Sequence, residues 1–297
     1  MITVLGSTNL DLIGQVSRIP RPGETVPGGS FSMAAGGKGA NQALAARRAG
    51  ASVRLIAAAG SDNFADEALR LLQADGVDLS RTRRVEGPTG IAMIFVDAAG
   101  ENVIAILPGA NAMVSEADAE AALAGMEHGS VLMLQQEVPQ AATLLALELA
   151  RQQGVTSILN TAPFFDTTAD AAARASIVVA NETEFALLTG TGLHELDAAM
   201  THWARTHGQT IIVTLGGAGA RAATPADSFT VPAPRIEPVD TVGAGDTFCG
   251  YLAAGLGSGL TLELAMHRAV TAASLACLKP GAQPAIPYAR DVDIALG

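Results

Sequence analysis

Short, mostly apolar runs that stop at Gly or polar residues alternate along this chain with longer amphipathic stretches, and that rhythm constrains the fold more than any other feature. ITVLGS, Ile2 to Ser7, reads as a buried strand. GANQALAARRAG, Gly39 to Gly50, has a helical pattern closed by a C-terminal glycine. VRLIAAAG then reads as a strand and NFADEALRLLQADG as a helix ended again by Gly. VLMLQ, Val131 to Gln135, precedes a helix that Pro139 opens as its first residue, and SIVVA and TIIVTLGG are further strands. Apolar strands separated by amphipathic helices predict parallel β/α winding: one α/β unit over 1–297, with a mostly parallel central sheet flanked by helices.

Two segments break the rhythm. Residues 11–34 are rich in Pro and Gly, extended, and without helical period. Residues 89–108 read as two strands, TGIAMIFVD and ENVIAIL, joined by the turn Ala98-Ala99-Gly100. An edge hairpin plus a long loop is the plain alternative. The expectation is a small β-sheet lid formed by about 11–34 and 89–108, because a 20-residue structureless loop in a compact domain usually has a functional reason.

Composition removes several classes of function. The apolar fraction is 49%, enough for a large core without disulfides. Cys249 and Cys277 lie in apolar stretches without metal-ligand spacing and read as small buried hydrophobes in a reducing compartment. The net charge of −11 opposes non-specific nucleic-acid binding. No run of about 18 apolar residues and no signal-peptide pattern occurs, so a cytoplasmic protein with no membrane partner is expected. Gly37-Lys38 lacks the upstream glycine of a phosphate-binding P-loop, and no GxGxxG follows the first strand. GxSxG and HExxH are also absent, and the five histidines are scattered.

Four local patterns carry chemistry. In DTVGAGDTFCG, Asp240 to Gly250, glycines at 243 and 245 permit a tight turn at the start of an apolar helix. The amides of Gly243, Ala244 and Gly245 then form a concavity for a transferring anionic group. Asp246 falls in the first helical turn, where it is either a reactive carboxylate or a cap. GGKGAN, Gly36 to Asn41, sets three glycines beside Lys38 and Asn41 for close approach to a polar ligand. NETE, Asn181 to Glu184, fits hydrated Mg²⁺ or nucleotide phosphates, and equally a reciprocal helix cap. In GSTNLD, Asn9 and Asp11 offer hydrogen-bond partners to neighbouring hydroxyls, as does Glu137 after VLMLQ. Together these residues are expected to cluster where α/β sheets bind ligands, outside the carboxyl ends of strands.

Taken in order, GSTNLD, PGETV, GGKGANQA, TGIAMIFVD, GAN at 109–111, NETE, TLGGAG, DTVGAGDTF and KPGAQPAIP resemble the ribokinase (PfkB-type) carbohydrate kinase family nearly end to end. The resemblance implies a ribokinase-like fold and ATP-dependent phosphorylation of a small neutral sugar, D-ribose first, with Asp246 as general base. It implies Asn9, Asp11, Gly37, Lys38, Gly39, Asn41 and Glu137 on the sugar side, with Lys38 alternatively at the phosphates. Asn181 and the run Thr214, Leu215, Gly216, Gly217, Gly219, together with Gly245, fall on the nucleotide side, with Glu184 ordering Mg²⁺ through water. A monovalent cation, K⁺, is implied at Asp240, Val242, Ala276, Lys279, Gly281 and Ala285, and a homodimer through the lid. The sequence departs from many relatives at Ala180, at Val270 near the adenine position, and at Ala285, where a hydroxyl side chain often helps hold the cation. The competing readings are another sugar, a sugar acid or a nucleoside as substrate, and a non-catalytic sugar-binding regulator. A sugar acid would want a further basic side chain beside Lys38, and a regulator has no need of Asp246.

Overall fold

A computed structural model describes residues 1–297, apart from the side chain of residue 193. The strands are β1 (Ile2–Leu5), β2 (Asn9–Val16), β3 (Gly28–Gly36), β4 (Val53–Ile56), β5 (Ala58–Ala59), β6 (Arg83–Arg84) and β7 (Gly90–Val96). They continue as β8 (Asn102–Leu107), β9 (Val131–Leu134), β10 (Thr156–Asn160), β11 (Ile177–Asn181), β12 (Thr210–Thr214), β13 (Ala220–Ala223) and β14 (Ser228–Val231). Eight of them form one sheet in the order β14-β13-β12-β11-β10-β9-β1-β4. Every pairing from β12 to β4 is parallel; β13 and β14 turn antiparallel at one edge.

The central strands are buried on both faces, as their unalternated apolar runs require. Alternate residues feed two cores. Val4, Leu55 and Met133 pack on one face, while Leu5, Ile56, Leu132 and Leu134 pack on the other. Each such side chain contributes about 1.5–3 kcal/mol by leaving water. The first core lies beneath helices Lys38–Arg48, Ala244–Gly257 and Leu262–Ala276, the second beneath Glu116–Leu123, Gln140–Gln153 and Leu196–His207. Pro139 stands just before its helix as the cap, one position earlier than the sequence pattern predicts.

Helix Ala244–Gly257 packs between Lys38–Arg48 and Leu262–Ala276. At its closest approach to Lys38–Arg48, a Cβ on Gly250 would sit 2.4 Å from Ala45 Cβ and 2.7 Å from Ala46 N. Only glycine fits there, and the contact sets the axial register of the two helices. One turn earlier on each, Asp246 faces Asn41 and Gln42.

The two irregular segments form a separate four-stranded sheet, β3-β2-β7-β8. Residues 11–34 therefore hold most of two strands rather than a structureless loop; Gly and Pro hide the alternation. Asn9 and Asp11 follow β1 and lie at the start of β2. Register places Asp11, Ala34, Ala92 and Ile106 on one face, while Met33, Leu12 and Met93 lie on the other. Among the described residues no helix is long and apolar enough to cross a membrane. Cys249 is buried as expected, but Cys277 is only half-buried.

Candidate active site

In the central sheet the chain moves from β1 to β4 on one side and later to β9 on the other, so β1 and β9 flank a topological switch point. Loops leave such a point in opposite directions and open a crevice at the strands' carboxyl ends. Ser7 and Glu137, from the two diverging loops, meet there: Ser7 Oγ donates to Glu137 Oε2 at 2.5 Å. Lys38 N donates to the same oxygen at 2.9 Å, so Glu137 holds the start of helix Lys38–Arg48, where a negative charge is favoured. Gly37 is that helix's N-cap, and Gly39 is buried, a Cβ there meeting Ser7 N at 2.6 Å. The absent side chain at 39 thus allows close packing against Gly6 and Ser7, just after the first strand.

Asp11 reaches this crevice from the small sheet. Its carboxylate lies over Gly36 on the neighbouring strand, where a Cβ would come within 2.5 Å of both oxygens. Burial, then the negative charges of Glu137 and Asp246, push its pKa up to about 7, against a smaller opposing pull from Lys38. Burial lowers the pKa of the Lys38 ammonium, but Asp246, Glu137 and Glu184 together outweigh it and hold that pKa above its ordinary value. Lys38 and Lys279 are the only lysines in the chain, and Lys38 sits among these carboxylates as a compact point charge. Asn9 is buried, its Oδ1 accepting from Asn111 Nδ2 at 2.7 Å. Asn111 also accepts from Thr8 N at 2.9 Å, clamping the link between the two sheets.

Asp246 is 7% exposed and does not cap its own helix: Gly243 is the N-cap, with no side-chain cap bond. The capping alternative for Asp246 is thereby removed. Its two oxygens take one amide each, Asn41 Nδ2 at 2.9 Å and Gln42 Nε2 at 3.0 Å. Gly243 turns the chain with φ 75, and a Cβ on Gly245 would meet nothing within 4 Å. The amides of this turn open a positive concavity beside Asp246. Ala244 N makes a long bond of 3.3 Å to Thr241 O.

A cavity of about 170 Å³ joins Lys38, Asp246, Gly243 and Gly245 to Asn160, Asn181, Glu184 and Thr214. Asn181 and Glu184 form the reciprocal cap, Asn181 Oδ1 accepting from Glu184 N at 2.8 Å and Glu184 Oε2 from Asn181 N at 3.1 Å. Both nevertheless line the cavity. One carboxylate and one amide suit a hard ion that keeps most of its waters. Through Thr214 and Gly245 this space adjoins a second cavity of about 520 Å³ with Gly216, Gly217 and Gly219 on its wall. Its other walls include Pro234, Ile236, Phe248, Val270 and Ala273, with the half-buried Cys277. Leu215 is not among them and packs toward the core under the sheet's other face. A third cavity, about 400 Å³, lies at Met1, Ser52 and Arg268, away from all these residues.

Beside the concavity, Asp240 ties two loops together, accepting from Val242 N at 3.0 Å and Gly281 N at 2.8 Å. Val239 N and Asp240 N both donate to Cys277 O. Ala276 and Ala285 are buried, whereas Val242 and Lys279 are exposed. Among the described residues no three His, Cys, Asp or Glu side chains cluster as a metal cage.

The pattern describing pfkB family carbohydrate kinases matches residues 1–289. The chain belongs to this family. Its members are carbohydrate kinases, enzymes that transfer a phosphoryl group from a nucleotide to an alcohol. The chain is similar to the ribokinase of Mus musculus, at 33% identity over 99% of this chain and 94% of that one. It is equally similar to the deoxyribokinase of Salmonella typhi, at 35% over 96% and 95%. Among solved structures it resembles ribokinase from Thermotoga maritima, with TM-score 0.90, 30% identity, and 99% and 98% of the two chains covered. Arabidopsis thaliana ribokinase complexed with ribose and ATP matches at TM-score 0.89 and 29% identity, over 99% of this chain and 98% of that one. The family and the α/β fold read from the motifs agree with these matches.

Sequence reasoning missed four polar residues in the hydrogen-bond network around Asp246 and Asn9: Gln42, Asn111, Gln135 and Asn160. Gln42 directly follows Asn41 inside a motif already singled out, and Asn111 ends GAN. Asn160 and Gln135 close apolar strands, and that polar end was the available signal.

Proposed function

We infer that this protein transfers the γ-phosphoryl group of ATP to the 5-hydroxyl of D-ribose. The observation that carries the reading is Asp246: a buried carboxylate at the mouth of an amide-lined turn, between the crevice of Asp11 and the adjoining cavities. The sugar hydroxyl gives its proton to Asp246, its oxygen forms the new bond to phosphorus, and the bond from phosphorus to ADP breaks with its electron pair leaving on ADP. Asp11 and Lys38 bind and orient sugar hydroxyls, with Asn9 and Asn41 beside them. The amides of Gly243 to Gly245 neutralise the transferring oxygens, the main requirement of phosphoryl transfer. The large apolar cavity suits the base and its sugar.

Mg²⁺ bound with ATP supplies charge neutralisation, and Asn181 and Glu184 are the residues that would hold its water shell. K⁺ would stand by Asp240 and the carbonyls of the loops it joins, stiffening the amide turn. The small sheet serves as a lid over the sugar that excludes water. Its outward face exposes Phe31 at 65%, Met33 at 50% and Met93 at 40%, which supports a homodimer through that face.

The test is ADP release over a panel of pentoses, hexoses, sugar acids and nucleosides, with Asp246→Asn beside the wild type. Ribose should be the best acceptor, and the variant should lose roughly 10²–10⁴-fold in turnover. Near-normal turnover by Asp246→Asn would remove the base. Deoxyribose is the second reading, favoured by the equal likeness to a deoxyribokinase.

A further inference from the structure

Asp246 is reached from inside the protein by a chain of buried carboxamides. Gln42, in the first turns of helix Lys38–Arg48, donates from Nε2 to Asp246 Oδ1 at 3.0 Å and more weakly to Asn160 Oδ1 at 3.3 Å. Its own Oε1 accepts from Gln135 Nε2 at 2.7 Å. Gln42 is 1% exposed and Gln135 0%. Neither lines the two cavities of the site.

The polarity of this chain follows from its end. An ionised carboxylate only accepts, so Gln42 must turn its amino group to Asp246. That leaves the Gln42 oxygen facing Gln135, where only a donor can satisfy it. With no donor there, the Gln42 amide is held at one end alone and can rotate, presenting its oxygen to the carboxylate. On its far side Gln135 offers Oε1 to no partner among the described residues. A Cβ on Gly6 would lie 2.1 Å from that oxygen, so glycine at 6 makes the space the carboxamide fills. A buried acceptor without a partner costs stability. The use of Gln135 therefore lies at its donor end.

We propose that Gln42 and Gln135 form a positioning relay that fixes the orientation of the Asp246 carboxylate for proton transfer, with Gln135 acting only through Gln42. The proposal rests on Asp246 being the base. A relay of this kind alters turnover without altering the affinity of either substrate, since neither glutamine touches one.

The experiment measures kcat and both KM values for Gln42→Met, Gln135→Met, the double variant and Asp246→Asn. Met is unbranched, of similar length, and fills the space without donor or acceptor. Turnover should fall roughly tenfold in Gln135→Met and further in Gln42→Met, with both KM values within about threefold of wild type. The double variant should match Gln42→Met alone, because a residue acting through Gln42 has no effect once Gln42 is gone. Multiplying losses in the double variant overturn the relay, as does a Gln135→Met protein that melts earlier yet turns over normally. Normal turnover in Asp246→Asn instead overturns the base itself, whatever the glutamine variants do.

Discussion

Replacing Asp11 with Asn should make the protein more stable at neutral pH while weakening its hold on the sugar. In the folded chain burial and the neighbouring carboxylates raise the Asp11 pKa from 3.8 to about 7. Between those two values the folded state keeps a proton that the unfolded state has released. Stability therefore falls as pH rises, by about 1.4 kcal/mol per pH unit, and the loss is complete above the folded pKa. Asn carries no such proton. From pH 5 to pH 7 the wild type should lose about 2 kcal/mol relative to Asp11→Asn. Urea unfolding of both proteins at half-unit pH steps measures this as a widening gap between midpoints. The same proton should govern sugar binding: protonated Asp11 loses its charge and turns one acceptor oxygen into a donor, so it holds two hydroxyls less tightly and the sugar KM should rise as pH falls below 7, while that for ATP stays level. Parallel unfolding curves from pH 5 to pH 8 would refute the charge argument, and a sugar KM indifferent to pH would take Asp11 out of the sugar site.

Three further outcomes follow from other parts of the site. The walls of the 520 Å³ cavity are largely apolar, the Ser274 hydroxyl is engaged with Val270 O, and the one charged side chain on the wall, Arg235, is exposed, so few fixed side-chain groups are available to read a base's exocyclic groups. GTP should support kcat/KM within about tenfold of ATP, and a hundredfold preference would show that the base is read by hydrogen bonds. Exchanging K⁺ for a bulky organic cation at fixed ionic strength should lower turnover and nucleotide affinity without changing sugar selectivity; equal rates would leave Asp240 as a brace alone. Met33→Glu should convert a dimer at micromolar concentration to a monomer in sedimentation, and an unchanged sedimentation coefficient would move the interface elsewhere.

What the sequence discloses about this protein is what neighbouring residues decide together. The alternating apolar and amphipathic runs specify the parallel sheet, because strands buried on both faces need no partner's identity to be recognised. The turn around Gly243 is likewise readable, since its glycines and the helix after it lie within a few residues. NETE is an instructive middle case. Asn181 and Glu184 satisfy each other as a cap and still face the cavity, so the structural and functional readings were never exclusive. Residues 11–34 are legible as extended chain in a small sheet but not as individual strands: Gly and Pro hide the alternation, and much of the surface of β2 and β3 is exposed. The environment of Asp246 was hidden altogether. Gln42 and Asp246 are 204 residues apart and meet because Gly250 lets two helices touch at Ala45 and Ala46. A motif can announce a carboxylate, but whether it caps its own helix or receives donors from another depends on that crossing. Any larger residue at 250 would separate the helices and withdraw Asn41 and Gln42 from Asp246 together, although residue 250 itself stands a full turn away from that carboxylate.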